Sequence, residues 1–302
     1  MVTYYRRLPR FEYRKPKTLK DALGLISKKG VKKVKVFAGG TDLLPKLKSR
    51  EVEVPELLVD LKGIPNLDYI QYNARNGLRI GPLTTLSAIE SSPIIQQKFS
   101  LLAQAAHRIA SPQVRNRGTM AGNICNAVPS ADSAPALLTL EARLKLVSSK
   151  RERVVKIEDF FTGPNETILS PHEMLREIRI PPLPADTRGT YLKLSSRSAM
   201  ELAIVGVAVL VILQNGVCKD IRVALGAVAP TPIRAKKAEN ILRGQRFSEE
   251  LIQKAAEAAS GEARPIGDHR ASAEYRREMV AVLVKRAVEE AVAKGEGKRK
   301  RL

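Results

Sequence analysis

Residues 111–135 read SPQVRNRGTMAGNICNAVPSADSAP, and this composition says more about the fold than that of any other part of the chain. Gly118 and Gly122 alternate with small and polar side chains, so another group can approach the backbone closely. Exposed N–H groups in such a run form a nest that binds an anion such as a phosphate. The same composition is also typical of an ordinary polar loop, since Gly, Asn, Ser and Pro are common in turns.

A second glycine-containing stretch, VFAGGTDLLP at residues 36–45, begins as an apolar strand and breaks at Gly39 and Gly40. The N–H groups that follow this break, together with the Thr41 hydroxyl, are predicted donors. The stretch matches neither GxGxxG nor GxxxxGK[ST], so it is neither a dinucleotide fingerprint nor a P-loop. We expect the two separated glycine loops to bind one pyrophosphate from both sides.

Four motifs, in the same order, resemble the FAD-binding medium subunit of the molybdenum hydroxylases. They are AGGTDLL (38–44), GPLTTLSAIE (81–90), RGTMAGNICNAVPSADSAPALL (117–138) and SSRSAMELAIVGVAV (195–209). This family includes xanthine dehydrogenase, aerobic carbon monoxide dehydrogenase, and aldehyde or glyceraldehyde dehydrogenases. The resemblance implies an α+β chain. Its first part would be a two-lobed FAD-binding domain of the two-loop, PCMH-like type, and its second an α+β C-terminal domain of the CO dehydrogenase flavoprotein type.

Breaks in the apolar pattern predict where the FAD-binding domain divides. We assign residues 1–183 to this domain. KGIP at residues 62–65 interrupts a buried strand, so it separates a small lobe of about 1–61 from a larger lobe of about 62–183. The proline-containing segment 181–188 then marks the boundary to the next domain.

Residues 189–294 are predicted to form the C-terminal domain, with a three-stranded antiparallel sheet backed by helices. The sequence QNG at residues 214–216 is a strong hairpin signal between the last two strands. The predicted strands cover residues 189–195, 202–213 and 217–228, and the predicted helices cover 234–242, 248–259 and 271–293. Residues 295–302 form a basic tail.

The resemblance also implies which residues bind FAD. They lie at residues 36–43, at residues 119–123 and at five further positions: Val36, Phe37, Ala38, Gly39, Gly40, Thr41, Asp42, Leu43, Thr119, Met120, Ala121, Gly122, Asn123, Ile109, Asp132, Leu175, Tyr191 and Lys193. Ala121 replaces a glycine that is usual in the family. Alanine preserves close approach if residue 121 does not need a positive φ.

Each of the five further residues also has a simpler interpretation. Asp132 matches the position that holds the ribose or adenosine end of FAD, but it is also a candidate Asx turn or helix N-cap. Ile109 and Leu175 match positions near the flavin, or pack in the core. Tyr191 would cover the flavin ring or pack in the core, and Lys193 would place a cation near the flavin or lie in solvent.

Composition limits the class of protein. The chain has 302 residues with a hydrophobic fraction of 44%, enough for two domains with real cores. The longest apolar run, residues 202–213, is too short to span a bilayer, and the N-terminus lacks the apolar segment of a signal peptide. We therefore expect a cytoplasmic protein. Its two cysteines, Cys125 and Cys218, cannot ligate an iron–sulfur cluster by themselves.

The net charge of +21 invites a nucleic-acid interpretation. However, the basic residues are spread along the chain, only 4% of residues are aromatic, and there is no Trp, so stacking platforms are scarce. His107, His172 and His269 show no metal-ligand spacing, and no HExxH or Ser-His-Asp pattern is visible. The glycine loops contain no His or Tyr, so we expect the FAD to be non-covalent. The sequence predicts neither a metal site nor a catalytic residue in this chain.

Together these features predict an electron-transfer flavoprotein subunit. In the family it resembles, a large subunit holds molybdopterin, a small subunit holds [2Fe–2S] clusters, and FAD in the medium subunit passes electrons to an external acceptor. The resemblance implies a dimer of such heterotrimers. The alternatives are a stand-alone FAD-dependent oxidoreductase of the same two-loop fold and a basic nucleic-acid-binding module. The substrate is selected in the large subunit, so this sequence does not identify it.

Overall fold

The structure is a computed structural model that describes residues 7–28, 30–31, 33–197 and 200–293. The predicted basic tail, residues 295–302, lies outside these ranges. Among the described residues, no helix combines the length and the apolar character needed to cross a membrane.

The first lobe is a small parallel sheet with two helices. Its strands are paired in the order β1-β3-β2, and Thr18 caps the first helix by accepting a hydrogen bond from the Asp21 N–H. β3 is buried along its whole length, which explains its unbroken apolar sequence. The elements are β1 (Glu12–Arg14), α1 (Leu19–Ile26), β2 (Val34–Phe37), α2 (Leu43–Ser49) and β3 (Leu57–Asp60), followed by a 3₁₀ turn at Leu61–Gly63.

The second lobe contains a five-stranded antiparallel sheet in the order β4-β5-β10-β6-β7. One face of this sheet contributes to the largest apolar core together with the helices of the lobe. The strands are β4 (Ile70–Asn73), β5 (Gly77–Ile80), β6 (Arg143–Val147), β7 (Glu152–Lys156), a separate hairpin of β8 (Phe161–Gly163) and β9 (Glu166–Thr167), and β10 (Met174–Ile180). The helices preceding the 111–135 stretch are α3 (Leu86–Ser91), α4 (Pro93–Lys98) and α5 (Ser100–His107).

The stretch 111–135, interpreted from sequence as a polar loop, contains three short helices joined by turns. Ser111 caps α6 (Pro112–Arg115), and Thr119 caps α7 (Met120–Asn126). α8 (Ser133–Thr139) follows and is buried throughout. The caps are hydroxyl residues placed just before a Pro or an apolar residue, which are signals for helix starts as well as turns.

The C-terminal domain contains one strand more than predicted. Its sheet is antiparallel in the order β11-β12-β13-β14, and the fourth strand was missed because two residues are too few to show a periodic pattern. The strands are β11 (Thr187–Leu194), β12 (Val205–Gln214), β13 (Val217–Gly226) and β14 (Ile233–Arg234). The helices are α9 (Lys236–Leu242), α10 (Glu249–Glu262) and α11 (Ala273–Ala293). The predicted α+β class and the succession of two domain types are confirmed.

The central strand of this sheet, β12, is buried on both faces. Ala208, Leu210 and Ile212 belong to the core of the second lobe. Val207 and Val209 belong to a separate core with α9, α10 and α11. The sheet therefore lies between its own helices and the second lobe, which explains why the strand is apolar at consecutive positions.

Candidate functional site

The glycine loop of residues 36–45, which is the first in chain order, connects β2 to α2 and has a tightly constrained backbone. Gly40 adopts φ = +77°, which favours glycine, and a Cβ there would lie 2.3 Å from the Phe37 ring. The Lys62 ammonium contacts this loop at two points. It donates a hydrogen bond to the Ala38 carbonyl (2.8 Å) and lies 3.6 Å from the Phe37 ring centroid.

The two glycine loops touch each other. A Cβ on Gly39 would lie 2.1 Å from the Arg117 carbonyl oxygen, and a Cβ on Gly118 would lie 3.2 Å from the Thr41 hydroxyl oxygen. Glycine at position 39 is therefore what allows the loops to meet, whereas a Cβ at Gly118 would only crowd Thr41. The sequence predicts that the two loops meet by binding the same ligand, whereas in the structure they also pack directly against each other.

The second loop forms the start of α7. The Thr119 hydroxyl accepts a hydrogen bond from the Gly122 N–H (3.0 Å), and a Cβ on Gly122 would lie 2.9 Å from that same oxygen. Ala121 lies inside the helix and is absent from the residues with positive φ. Alanine consequently satisfies this position without backbone strain, which meets the condition set by the sequence.

Asp132 is the centre of a buried polar cluster beside the loops. Its carboxylate accepts hydrogen bonds from the Tyr191 hydroxyl (2.6 Å) and the Lys193 ammonium (2.9 Å), and Lys193 also donates to the Arg108 carbonyl (3.1 Å). The Lys193 and Asp132 side chains are only 6% and 7% exposed. The interpretation of Lys193 as a solvated strand residue is therefore wrong.

The contacts of Asp132 and Tyr191 bear on the simpler interpretations of these two residues. Asp132 occupies the N-cap position of α8, but its carboxylate makes no capping hydrogen bond there. Burial raises the pKa of Asp132, while Lys193 and Tyr191 act to lower it. Burial also raises the pKa of Tyr191 well above its ordinary value, so this residue is a neutral donor to the carboxylate.

A cavity of about 860 Å³ lies against the two loops. This volume is within the range of about 300–1,000 Å³ that is usual for pockets of small molecules and cofactors. Of the residues predicted to bind the cofactor, these line it: Val36, Phe37, Ala38, Gly39, Gly40, Thr41, Asp42, Leu43, Ile109, Thr119, Ala121, Gly122, Asn123, Asp132 and Leu175.

Three predicted residues do not line the cavity. Met120 is fully buried in the core of the second lobe. Tyr191 and Lys193 instead contact the carboxylate of Asp132, which does line it. Their effect on a bound molecule would therefore pass through Asp132.

Other lining residues were missed by sequence reasoning. The Lys46 ammonium donates to the side-chain oxygens of Asn126 (2.7 Å) and Asn165 (3.2 Å), which joins the first lobe to the second. Lys46 lies four residues after Asp42 near the start of α2, and this spacing would have placed both on one helix face. Burial raises the pKa of Asp42, and Lys46 opposes this effect.

The C-terminal domain also contributes to the cavity wall. Met200, Glu201, Leu202 and Arg270 line it. Arg270 lies 3.7 Å from Glu201 and 3.1 Å from Asp268. No local sequence signal connects Arg270 to the glycine loops, because only the folded chain brings residues so far apart in sequence together.

The remaining reactive side chains do not form a second chemical centre in the part of the chain that the structure describes. There, no group of three or more His, Cys, Asp or Glu could hold a metal ion. Cys125 and Cys218 are free thiols, and burial raises the pKa of each to about 12. Both are therefore thiols rather than thiolates at neutral pH.

Two family models match the chain. "FAD binding domain in molybdopterin dehydrogenase" matches residues 9–183, and "CO dehydrogenase flavoprotein C-terminal domain" matches residues 190–291. The carbon monoxide dehydrogenase medium chain of Hydrogenophaga pseudoflava is 37% identical over 286 residues, which cover 95% of this chain and 98% of that one. The glyceraldehyde dehydrogenase medium chain of Sulfolobus acidocaldarius is 35% identical over 282 residues, covering 93% and 98%.

Solved structures agree with these matches. Carbon monoxide dehydrogenase from Hydrogenophaga pseudoflava superposes with a TM-score of 0.91 at 39% identity, covering 95% of this chain and 99% of that one. Quinoline 2-oxidoreductase from Pseudomonas putida 86 superposes with a TM-score of 0.89 at 29% identity, covering 95% and 98%. The chain therefore belongs to the FAD-binding medium subunits of the molybdenum hydroxylases, the oxidoreductase family that its four motifs predicted, and its cofactor is FAD.

Proposed function

We propose that this chain holds FAD non-covalently in the 860 Å³ cavity and passes electrons from the [2Fe–2S] clusters of a partner subunit to an external acceptor. The observation that carries the proposal is the contact between the two glycine loops at the wall of this cavity, made possible by Gly39. The contact places the backbones of both loops on one wall of the cavity, where a single ligand can reach them. Such a wall fits the pyrophosphate of FAD.

The cavity residues divide by chemistry. The loop N–H groups and the Thr41 hydroxyl would hold the pyrophosphate, and the Lys46 ammonium adds positive charge on the same wall. The Asp132 carboxylate is the acceptor for a sugar hydroxyl, and Tyr191 and Lys193 fix its position. Ile109 and Leu175 supply apolar surface for a ring system.

The described residues of this chain bind and orient the cofactor, and we assign none of these residues a catalytic role. FAD, when bound, supplies the redox chemistry, because a flavin exchanges electrons singly or in pairs. The fixed positions of the loops and of Asp132 hold the cofactor in one orientation relative to a partner surface. This pre-organisation is what an electron-transfer site needs from its protein.

The partners follow from the relatives. Their names describe them as medium chains, so we propose a large molybdopterin-binding subunit and a small [2Fe–2S] subunit for this protein. We also propose a dimer of heterotrimers as the assembly and the cytoplasm as its location. The two cysteines, both free thiols, leave the clusters to another chain.

The test is Gly40→Val in the complete complex. A side chain at φ = +77° and in contact with the Phe37 ring must displace the loop. Flavin content should fall at least about tenfold, a loss of about 1.4 kcal/mol or more in binding. Substrate should still reduce the iron–sulfur clusters, while reduction of the external acceptor should be lost.

Gly24→Ala is the matched control, because a Cβ at Gly24 meets no atom within 4 Å. It should keep both flavin and acceptor reduction. Full flavin retention in a folded Gly40→Val complex would contradict the proposed site. Substrate-driven flavin reduction by this chain alone would contradict the electron-transfer role and favour a stand-alone flavoprotein.

A further inference from the structure

A row of four cations crosses the outer face of the five-stranded sheet. Arg79 pairs with Arg179, Arg179 pairs with Arg143, and Arg143 pairs with Lys156 in the register of β5, β10, β6 and β7. Directly opposite residues on neighbouring strands point to the same face. The buried neighbours Leu78, Ile178 and Leu144 point to the opposite face and into the core. We call these four residues the cationic row.

Like charges directly opposite each other destabilise a sheet, so the row is a local cost to the fold. Glu177 offsets one half of it, since its buried carboxylate contacts Arg79 at 2.6 Å and Arg179 at 2.5 Å. The other half is compensated less: Lys156 helps to lower the pKa of Glu158, but the ion pair of that carboxylate is with Lys236. Arg143 and Lys156 are exposed, and among the described residues neither lies within salt-bridge distance of a carboxylate.

An exposed apolar residue and a recess lie at opposite ends of the row. Val154, on the strand that carries Lys156, is 47% exposed and lies beside the row. A recess of about 330 Å³ lies at the Arg79 end, where Asp68, Tyr69, Gln71 and Arg176 also line it. The recess can take a side chain of a bound protein, and the positive charge of the row attracts an acidic surface.

We propose that the cationic row binds an acidic surface of a partner protein. The row spans three inter-strand spacings, or about 14 Å, which suits a patch of carboxylates. A protein is favoured over a nucleic acid because the Arg176 guanidinium already lies over the ring of Tyr69, the aromatic residue in the recess, at 5.6 Å from its centroid, where a base would stack. The proposal rests on the proposed function only in taking the partner from the subunits of the hydroxylase complex.

The test is the double charge reversal Arg143→Glu with Lys156→Glu, because both side chains are exposed and the buried Glu177 contacts are left intact. The variant is co-expressed with the large and small subunits, and its affinity for them is measured at low and high salt. We expect affinity to fall at least about tenfold at low salt, which corresponds to about 1.4 kcal/mol. The wild-type affinity should fall as salt rises, and the variant should lose most of this dependence.

The matched control is Lys219→Glu with Arg286→Glu, two exposed cations of the C-terminal domain with the same total change in charge. It should leave assembly within about twofold of wild type. Equal weakening by both double variants, or unchanged assembly in the row variant, would overturn the proposal. So would loss of binding to a DNA duplex with assembly intact, since the row would then serve a nucleic acid. In each of these cases flavin retention by the variant would leave the proposed function standing.

Discussion

The two glycines of the first loop are required for different physical reasons. Glycine is needed at position 40 because its φ is positive and because a Cβ there would clash with the Phe37 ring. Glycine is needed at position 39 because the Arg117 carbonyl lies where a Cβ would be. Only the second reason links the loops. A substitution at Gly39 therefore acts on both walls of the cavity, and one at Gly40 acts first on its own turn.

Lys193→Met tests how the buried pair with Asp132 contributes to stability. Removal of one partner of a buried ion pair leaves an uncompensated charge, so we expect the free energy of unfolding to fall by about 3–5 kcal/mol. The second variant, Asp132→Asn with Lys193→Met, removes both charges and keeps an oxygen acceptor for Tyr191. Urea unfolding should show that it recovers most of the loss. Equal or greater destabilisation in the double variant would mean that the pair does not act as a unit.

Lys193→Met also tests whether the charge of Lys193 tunes the redox potential of the flavin. The sequence predicts a cation close to the flavin, whereas the Lys193 ammonium contacts Asp132 and does not line the cavity. If Lys193 tunes the flavin through its charge, Lys193→Met should lower the midpoint potential by tens of millivolts, with about 30 mV for each 1.4 kcal/mol. Spectroelectrochemistry of the assembled complex measures this shift.

At the scale of elements, the central strand β10 carries a buried acid that should govern stability in acid. Burial raises the pKa of Glu177, but hydrogen bonds from Arg79, Tyr69 and Arg179 outweigh it and lower the pKa to about 2. A lowered pKa stabilises the fold above the ordinary pKa of 4.5, and this contribution is lost as pH falls towards 2. Glu177→Gln should therefore cost on the order of 3 kcal/mol at neutral pH.

The comparison is made by denaturant unfolding between pH 7 and pH 2. The stability difference between wild type and Glu177→Gln should shrink below about pH 4.5 and disappear near pH 2. Glu289→Gln, an exposed acid on α11, is the control and should show little difference at any pH. A constant difference across this range would show that Glu177 acts through packing rather than charge.

Sequence patterns anticipated the elements with clear local signals. The QNG hairpin between β12 and β13 and the strand before Gly39 were found because turns and apolar runs are local properties. The helices within residues 111–135 were missed because small polar residues serve both as caps and as turns. The roles of Lys46 and Arg270 could not be predicted in the same way, since they depend on contacts between lobes and domains.

At the scale of the whole molecule, the second lobe and the C-terminal sheet share one core. Tyr191, Ala208, Leu210 and Ile212 belong to the same buried cluster as the helices of the second lobe. The two family models divide the chain between residues 183 and 190, yet the packing continues across that division.

A chain that ends at residue 183 should therefore not fold as an independent unit. It would lose β11 and β12 and expose the apolar surface that they cover. We expect strong binding of a hydrophobic dye and no cooperative thermal transition, with the full chain as the control. A monomeric fragment that unfolds cooperatively would show that the shared core is dispensable for the first domain.

The cavity is lined by segments that are distant in sequence, and the ribosome therefore synthesises them at different times. Gly40 is synthesised about 150 residues before Lys193, an interval of roughly 8–30 s at about 5–20 residues per second. Until then the Asp132 carboxylate lacks its cation, and the Met200 and Arg270 side of the wall does not yet exist. The nascent chain can form its first glycine loop early, but it can enclose a cofactor only after Arg270 has been synthesised.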